Sequence, residues 1–414
     1  MKRYEKYKNS GINWIGEIPE HWEIKSFKRF AKICNGKDHK GVWDENGSYP
    51  IIGSGGVFGK SNRYLYDQPS VLLGRKGTID KPQFIEVPFW TVDTAYFTDI
   101  FPTTNKKYFF YSCLTINFDF YKYGSAVPSM TQETLSQIPF TAPPLKEQKT
   151  IARYLDRKTV EIDQLIAQKE RLIELYKEEK TAIINQAVTK GINPDVKLKP
   201  SGIDWLGNIP EHWEVKRIKH LGLIKYGLGQ PPKEKLDGLP LIRATNVFRG
   251  RIDDKNMVYV DPEDIPYERD PVLKENDIIV VRSGAYTADS AIIPNQYQGS
   301  IAGYDMIFRS YKNYSPKLIS YCFLSHYILK NQLLFHSLRA AQPHLNREEL
   351  GETFIVMPKN IEEQKAIARY IETECDRIDA KIAKTQRIIE LQKEYRTALI
   401  SEAVTGKIKV PQLD

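Results

Sequence analysis

The chain has 414 residues, 41% hydrophobic and 27% charged, with a formal net charge of +8 and a pI of about 8.9. That length suits two or three domains, each able to bury a core, and no apolar run reaches the roughly 18–20 residues that would span a bilayer. The basic balance is compatible with a polyanionic partner but does not identify one.

The first ten residues, Met-Lys-Arg-Tyr-Glu-Lys-Tyr-Lys-Asn-Ser10, are charged and lack the apolar middle of a secretion signal. A more informative segment follows. Ser10-Gly-Ile-Asn-Trp-Ile-Gly-Glu-Ile-Pro-Glu-His-Trp-Glu-Ile-Lys25 returns as Ser201-Gly-Ile-Asp-Trp-Leu-Gly-Asn-Ile-Pro-Glu-His-Trp-Glu-Val-Lys216. Trp14, Trp22, Trp205 and Trp213 are expected to pack as core anchors, and His21 and His212 to be hydrogen-bonded structural histidines.

Residues 20–140 carry short β-rich runs such as Ser70-Val-Leu-Leu73 among Gly, Pro and Asn turns, which predicts a mixed α/β globule. From Lys146 to about Val188 there is no Gly or Pro. Apolar residues at Ile151, Leu155, Ile162, Leu165, Ile166, Leu172 and Ile173 fall at the three- and four-residue steps of an amphipathic helix. Val196–Gly202 resembles a linker. Residues 212–355 are again β-rich, with Asp277-Ile-Ile-Val-Val281, and carry roughly 25 more residues than the first copy. Ile361–Val404 is a second helical run, with Ile367, Ile371, Ile378, Ile388 and Leu399 along one side.

The helices repeat as closely as the opening segments. Glu147-Gln-Lys-Thr-Ile-Ala-Arg-Tyr154 matches Glu363-Gln-Lys-Ala-Ile-Ala-Arg-Tyr370, and Thr181–Thr189 matches Thr397–Thr405. The chain is therefore a tandem duplication of a unit of roughly 200 residues. Only fragments of the middles align: Tyr49-Pro-Ile-Ile52 with Leu239-Pro-Leu-Ile242, and Val71–Gly77 with Ile278–Gly284. The expected fold is α+β: two mixed α/β domains joined by two long helices that form an antiparallel coiled coil, in a pseudo-twofold repeat. The expected parts are 1–145, a first helix at 146–190, linker and second domain at 191–358, and a second helix with tail at 359–414.

Catalytic patterns are wanting. Gly53-Ser-Gly-Gly-Val-Phe-Gly-Lys-Ser61 has Ser54 where a phosphate-binding loop needs its first Gly. Tyr226-Gly-Leu-Gly-Gln-Pro-Pro232 is too short of glycines for a dinucleotide or adenosylmethionine loop. Asn/Asp-Pro-Pro-Tyr/Phe does not occur, and the histidines form no Ser/His/Asp or metal-ligand group. Cys34, Cys113, Cys322 and Cys375 are scattered, which predicts reduced thiols in the cytoplasm and neither zinc nor disulfides. A non-catalytic chain that binds no cofactor or metal is expected.

Ile18-Pro-Glu-His-Trp22 and Ile209-Pro-Glu-His-Trp213, followed by Pro143–Tyr154 and Met357–Tyr370, give the sequence a resemblance along nearly its whole length. It resembles the DNA-specificity subunit of type I restriction–modification systems. The second copy keeps one Pro where the first has Pro143-Pro144. The resemblance implies two target-recognition domains, each reading one half of an asymmetric two-part site in double-stranded DNA. The helix pair would set the gap and dock two methyltransferase subunits. Restriction/translocase subunits would join these, with S-adenosylmethionine, ATP and Mg held by the partners and no membrane involved. Side chains able to pair with base edges or hold phosphates are, in the first domain, Lys60, Arg63, Arg75, Lys76 and Ser125, with Tyr123 as a stacking residue. In the second they are Arg243, Asn246, Arg249, Arg282, Tyr286, Arg339, Gln342 and His344. Lys60 and Lys76 are expected on phosphates. Arg75 and Arg282 occupy matching strand-to-turn positions before Gly77 and Gly284.

Overall fold

A computed structural model describes residues 2–124, 127–337 and 343–411. The chain divides into two compact units that cut across the two sequence copies. Unit 1 takes residues 1–170 and 386–414, and unit 2 takes 171–385.

Unit 1 holds two sheets. The larger has four antiparallel strands, Ala31–Asn35, Ala95–Ile100, Ser70–Gly74 and Gln83–Ile85, in that spatial order. The smaller sets Tyr49–Gly53 between antiparallel Gly56–Ser61 and parallel Trp90–Thr91. Ser70–Gly74 is buried throughout, because its alternate side chains enter different cores. Val71 and Leu73 join Phe27, Phe109 and Phe140, while Leu72 joins Ile52, Phe89 and Phe97.

Unit 2 repeats this topology. Gly222–Tyr226, Met306–Ser310, Ile278–Val280 and Ser290–Ile292 form the larger sheet. Glu234–Ile242 lies between antiparallel Val258–Val260 and parallel Ile301–Ala302 in the smaller. Ile278 and Val280 face one core and Ile279 and Val281 the other. The extra residues of this copy include the hairpin Val247–Phe248/Arg251–Ile252. Both units thus share strand order even where their sequences align poorly.

Each long run is one continuous helix, Leu145–Lys190 and Ile361–Val404, which at 1.5 Å per residue reaches about 65–70 Å. Segments of the two helices run side by side in opposite directions within each unit. In unit 1 Arg396 pairs with Asp163, and Lys393 approaches Glu170. In unit 2 Lys381 lies over the Tyr176 ring, whereas further along Arg377 reaches Glu179, and Lys180 and Arg251 share Asp379. Ile151, Leu155, Ile162, Ile367, Ile371, Ile378 and Leu399 are buried. Leu165, Leu172 and Ile388 are only half-buried, and Ile166, Ile173 and Ile389 take the buried positions next to them. Of each pair of neighbouring apolar residues, the second therefore carries the buried stripe at these points, not Leu165, Leu172 or Ile388. No helix among the described residues is long and apolar enough to cross a membrane, and all four cysteines are free.

The repeated motifs meet at one joint in each unit. Glu147 accepts hydrogen bonds from Trp22 Nε1 at 3.0 Å and pairs with His21 Nε2 at 2.7 Å. Glu363 does the same for Trp213 at 2.9 Å and His212 at 3.0 Å. The next residue bridges backbone groups. Gln148 donates to the Pro143 carbonyl and accepts from Asn105 N–H, both at 2.9 Å. Gln364 donates to Pro358 O and accepts from Ser315 N–H, both at 2.8 Å. The buried tryptophans also close on the glycine that ends the opposite copy's helix. A Cβ on Gly406 would stand 2.9 Å from Trp22, and one on Gly191 would stand 3.4 Å from Trp213; both glycines have positive φ. His21 and His212 are structural, as expected. Trp14 and Trp205 are not core anchors: they stay 40% and 45% exposed. Each lies in a tight turn between two short paired strands, where the following residues, Ile15 and Leu206, turn inward.

Candidate nucleic-acid interface

Each unit gathers sequence-distant loops along one edge of its sheets, by the same backbone pattern. In unit 1, Gly77 N–H donates to Pro128 O at 3.0 Å and Met130 N–H to Arg75 O at 2.9 Å. In unit 2, Gly284 N–H donates to Pro343 O at 3.3 Å and Leu345 N–H to Arg282 O at 2.8 Å. Lys76 forms a bridge with Ser129, and Ser283 with His344. Arg75 and Arg282 are therefore equivalent in space, and Ser129 stands where unit 2 has His344.

The third loop of the edge differs in chemistry. Gly36 N–H bonds the Ala95 carbonyl, and Gly227 N–H bonds the Asp305 carbonyl, so Ala95 occupies the place of Asp305. Asn35 correspondingly occupies the place of Tyr226, by their pairings with Tyr96 and Met306. Arg75 sits 6.0 Å from the Tyr96 ring and donates a long hydrogen bond, 3.4 Å, to Asp93 O. Arg282 lies 4.3 Å from each of the Tyr226 and Tyr304 rings, with Nη2 3.4 Å from His344 Nε2.

Asp305 lies beneath this clamp. It is 2% exposed, Oδ1 accepts from Arg282 N–H at 3.2 Å, and Oδ2 has no hydrogen-bond partner among the described residues. Burial raises its pKa from 3.8 to about 6, against the opposing pull of the Arg282 hydrogen bond and charge. Tyr226 is itself fixed, its hydroxyl accepting from Arg347 N–H at 2.9 Å.

The expected residues divide. Arg75, Lys76 and Tyr123 stand together in unit 1; Tyr123 is 55% exposed and its backbone pairs with Ser129. Lys60 and Arg63 are exposed at the far end of the Tyr49–Ser61 hairpin from its Gly53–Gly56 turn, away from that group. In unit 2, Arg282 and His344 meet directly. Arg243 lies beside the loop carrying Tyr304, since a Cβ on Gly303 would meet its Cγ at 3.4 Å. Arg249 at its hairpin tip has φ of 40° and covers the Phe248 ring. Tyr286 is exposed in the turn that follows Arg282.

Asn246 is a correction. It is fully buried, its Oδ1 accepts from Arg243 N–H and its Nδ2 donates to Asp253 O, so its amide is spent on the backbone and cannot face a base. Ser125, Arg339 and Gln342 lie outside the described residues. Sequence reasoning missed Tyr226, Tyr304, Asp305 and Ser129. Tyr226 stood in a glycine-rich stretch weighed only as a cofactor loop, and nothing local links it to Tyr304.

The family model for the type I restriction modification DNA specificity domain matches residues 19–175 and again 210–393. The type I restriction enzyme MjaVIII specificity subunit of Methanocaldococcus jannaschii is 26% identical, with 96% of this chain and 95% of the relative covered. The EcoBI specificity subunit of Escherichia coli is 25% identical over 96% of this chain and 88% of its own. A solved chain described under complex assembly and conformational transition of the type I R-M system shares the fold. Its TM-score is 0.71 at 10% identity, over 94% of this chain and 99% of that one. The HsdS subunit from Thermoanaerobacter tengcongensis aligns with a TM-score of 0.53 at 12% identity, over 94% and 98%. With two copies of the domain covering most of its length, this chain belongs to the DNA-specificity subunit family of type I restriction–modification systems.

Proposed function

We propose that the chain reads a two-part site in double-stranded DNA, with one half of the site assigned to each sheet-edge cluster. The carrying observation is that Arg75 and Arg282 stand at equivalent strand ends, on equivalent loops, in different chemical surroundings. Two readers of different half-sites need that arrangement: a shared scaffold to place a side chain and a private environment to aim it. The half-sites therefore differ, and the whole site is not a palindrome. The long helices set the gap between halves as a matched pair, an antiparallel coiled coil, and dock two methyltransferase subunits. Restriction/translocase subunits complete the assembly. Adenosylmethionine, ATP and Mg act on those partners, and this chain contributes recognition without catalysis.

Selection of a random double-stranded pool by the full-length chain, in complex with its methyltransferase subunits, tests this. Two short blocks at a fixed gap are expected. Exchanging residues 20–140 for another recognition module changes one block and leaves the other and the gap alone. A change in both blocks, or in neither, refutes modular reading. A protein-binding scaffold would enrich no sequence at all.

A further inference from the structure

The two tyrosines of unit 2 do something for Arg282 that its counterpart in unit 1 lacks. A free arginine side chain is costly to immobilise, and that cost is subtracted from any contact it makes. Here the guanidinium carbon lies over two rings, those of Tyr226 and Tyr304, 4.3 Å from both ring centres. Tyr226 is anchored in turn by Arg347 N–H.

The hydrogen-bonding groups of Arg282 are divided in a telling way. Its Nε is buried with no partner among the described residues, and Nη2 donates to His344 Nε2, the guanidinium having only donors to offer. Nη1 has no partner among the described residues, and Gly284 two residues on has open space where a Cβ would be. Among the described residues the result is a preoriented cationic fork, with Nη1 unspent and the second Nη2 hydrogen still to be used. An acceptor pair such as guanine O6 and N7 matches such a fork, and adenine, which offers a donor at the corresponding place, does not.

We propose that Arg282 reads a guanine in the major groove of one half-site, with Tyr226, Tyr304 and His344 as positioning residues. This rests on the specificity reading above and deepens it to one side chain and one base. Arg75, 6.0 Å from the Tyr96 ring and with Asn35 and Ala95 in place of Tyr226 and Asp305, has no such clamp among the described residues.

The test uses the full-length chain with its methyltransferase subunits and a random double-stranded DNA pool. The wild-type chain is expected to enrich two blocks, one containing a guanine that Arg282→Ala no longer selects. The preference at that position falls on the order of 10- to 100-fold, the range for one bidentate pair, while the other block is unchanged. Arg282→Lys keeps the charge but not the fork and loses most of the same preference. Tyr304→Leu weakens it at that position alone, a local readout that general destabilisation would not produce. Unchanged selection by Arg282→Ala, full selection by Arg282→Lys, or loss of both blocks together overturns the assignment of Arg282 and leaves the specificity reading standing. A wild-type chain that enriches no sequence overturns both.

Discussion

The joint that repeats in the two units and the edge that differs between them place opposite demands on their side chains. At the joint, Glu147 and Glu363 share their Trp and His partners at nearly the same distances, with the Tyr4 hydroxyl added on Glu147, and Gln148 and Gln364 bridge equivalent backbone groups. Those groups satisfy buried backbone and indole donors, and any residue of another shape would leave them unpaired. At the edge, the backbone pattern is kept while Tyr226 is exchanged for Asn35 and Asp305 for Ala95. One scaffold thus separates the chemistry that must not vary from the chemistry that is free to.

The largest effect should come from attacking the joint. Gln148→Leu and Gln364→Leu each strand a backbone N–H and a carbonyl in the interior, at about 2–5 kcal/mol. Denaturant unfolding should register similar losses for both, and a loss in one unit alone would break the equivalence.

Asp305→Asn should sharpen the difference at the edge. The folded carboxyl has a pKa of about 6 against 3.8 ordinarily, so the folded state holds the proton more tightly than the unfolded chain. The contribution of Asp305 to stability is therefore greatest below about pH 4, falls as pH rises toward 6, and is flat above. Asn keeps the acceptor for Arg282 N–H and cannot ionise. Above pH 7 it should gain roughly 2–3 kcal/mol, and below pH 4 close to nothing. A gain that does not depend on pH would contradict the buried carboxylate.

Smaller losses, about 1–2 kcal/mol, are expected for Glu147→Ala and Glu363→Ala, which deprive a buried indole N–H of its acceptor. Melting curves of the two variants should shift alike. Smallest of all, Trp14→Ser and Trp205→Ser should stay within about 0.5 kcal/mol, as exposed positions do. A loss of several kcal/mol at either would restore them as anchors.

The sequence made the frame legible because helix periodicity and the His-Trp and Glu-Gln motifs are local and repeat almost letter for letter. Sheet order was hidden, since strands such as Tyr49–Gly53 and Trp90–Thr91 pair across a long stretch of chain. Asn246 was misread because a buried backbone cap and an exposed base reader are the same residue type. Leu165 and Leu172 missed the buried stripe by one position because apolar residues stand side by side there, and a 3.6-residue period cannot choose between neighbours. Tyr226 and Tyr304 come together only through folding, and no pattern of spacing announces them.

The closing of Trp22 on Gly406 has a counterpart deeper in unit 1, where the Tyr108 and Thr141 hydroxyls both donate to the Val404 carbonyl. Unit 2 is one uninterrupted stretch of chain, whereas unit 1 is built from two. On the ribosome the order of birth is therefore reversed: unit 1 is begun before unit 2 and completed after it. After residue 170 is joined, roughly 10–50 s of synthesis at 5–20 residues per second pass before Val404 is made. Through that interval the Tyr108 and Thr141 hydroxyls pair with each other and with the Thr141 carbonyl instead, and the side of Trp22 that Gly406 later closes stays open.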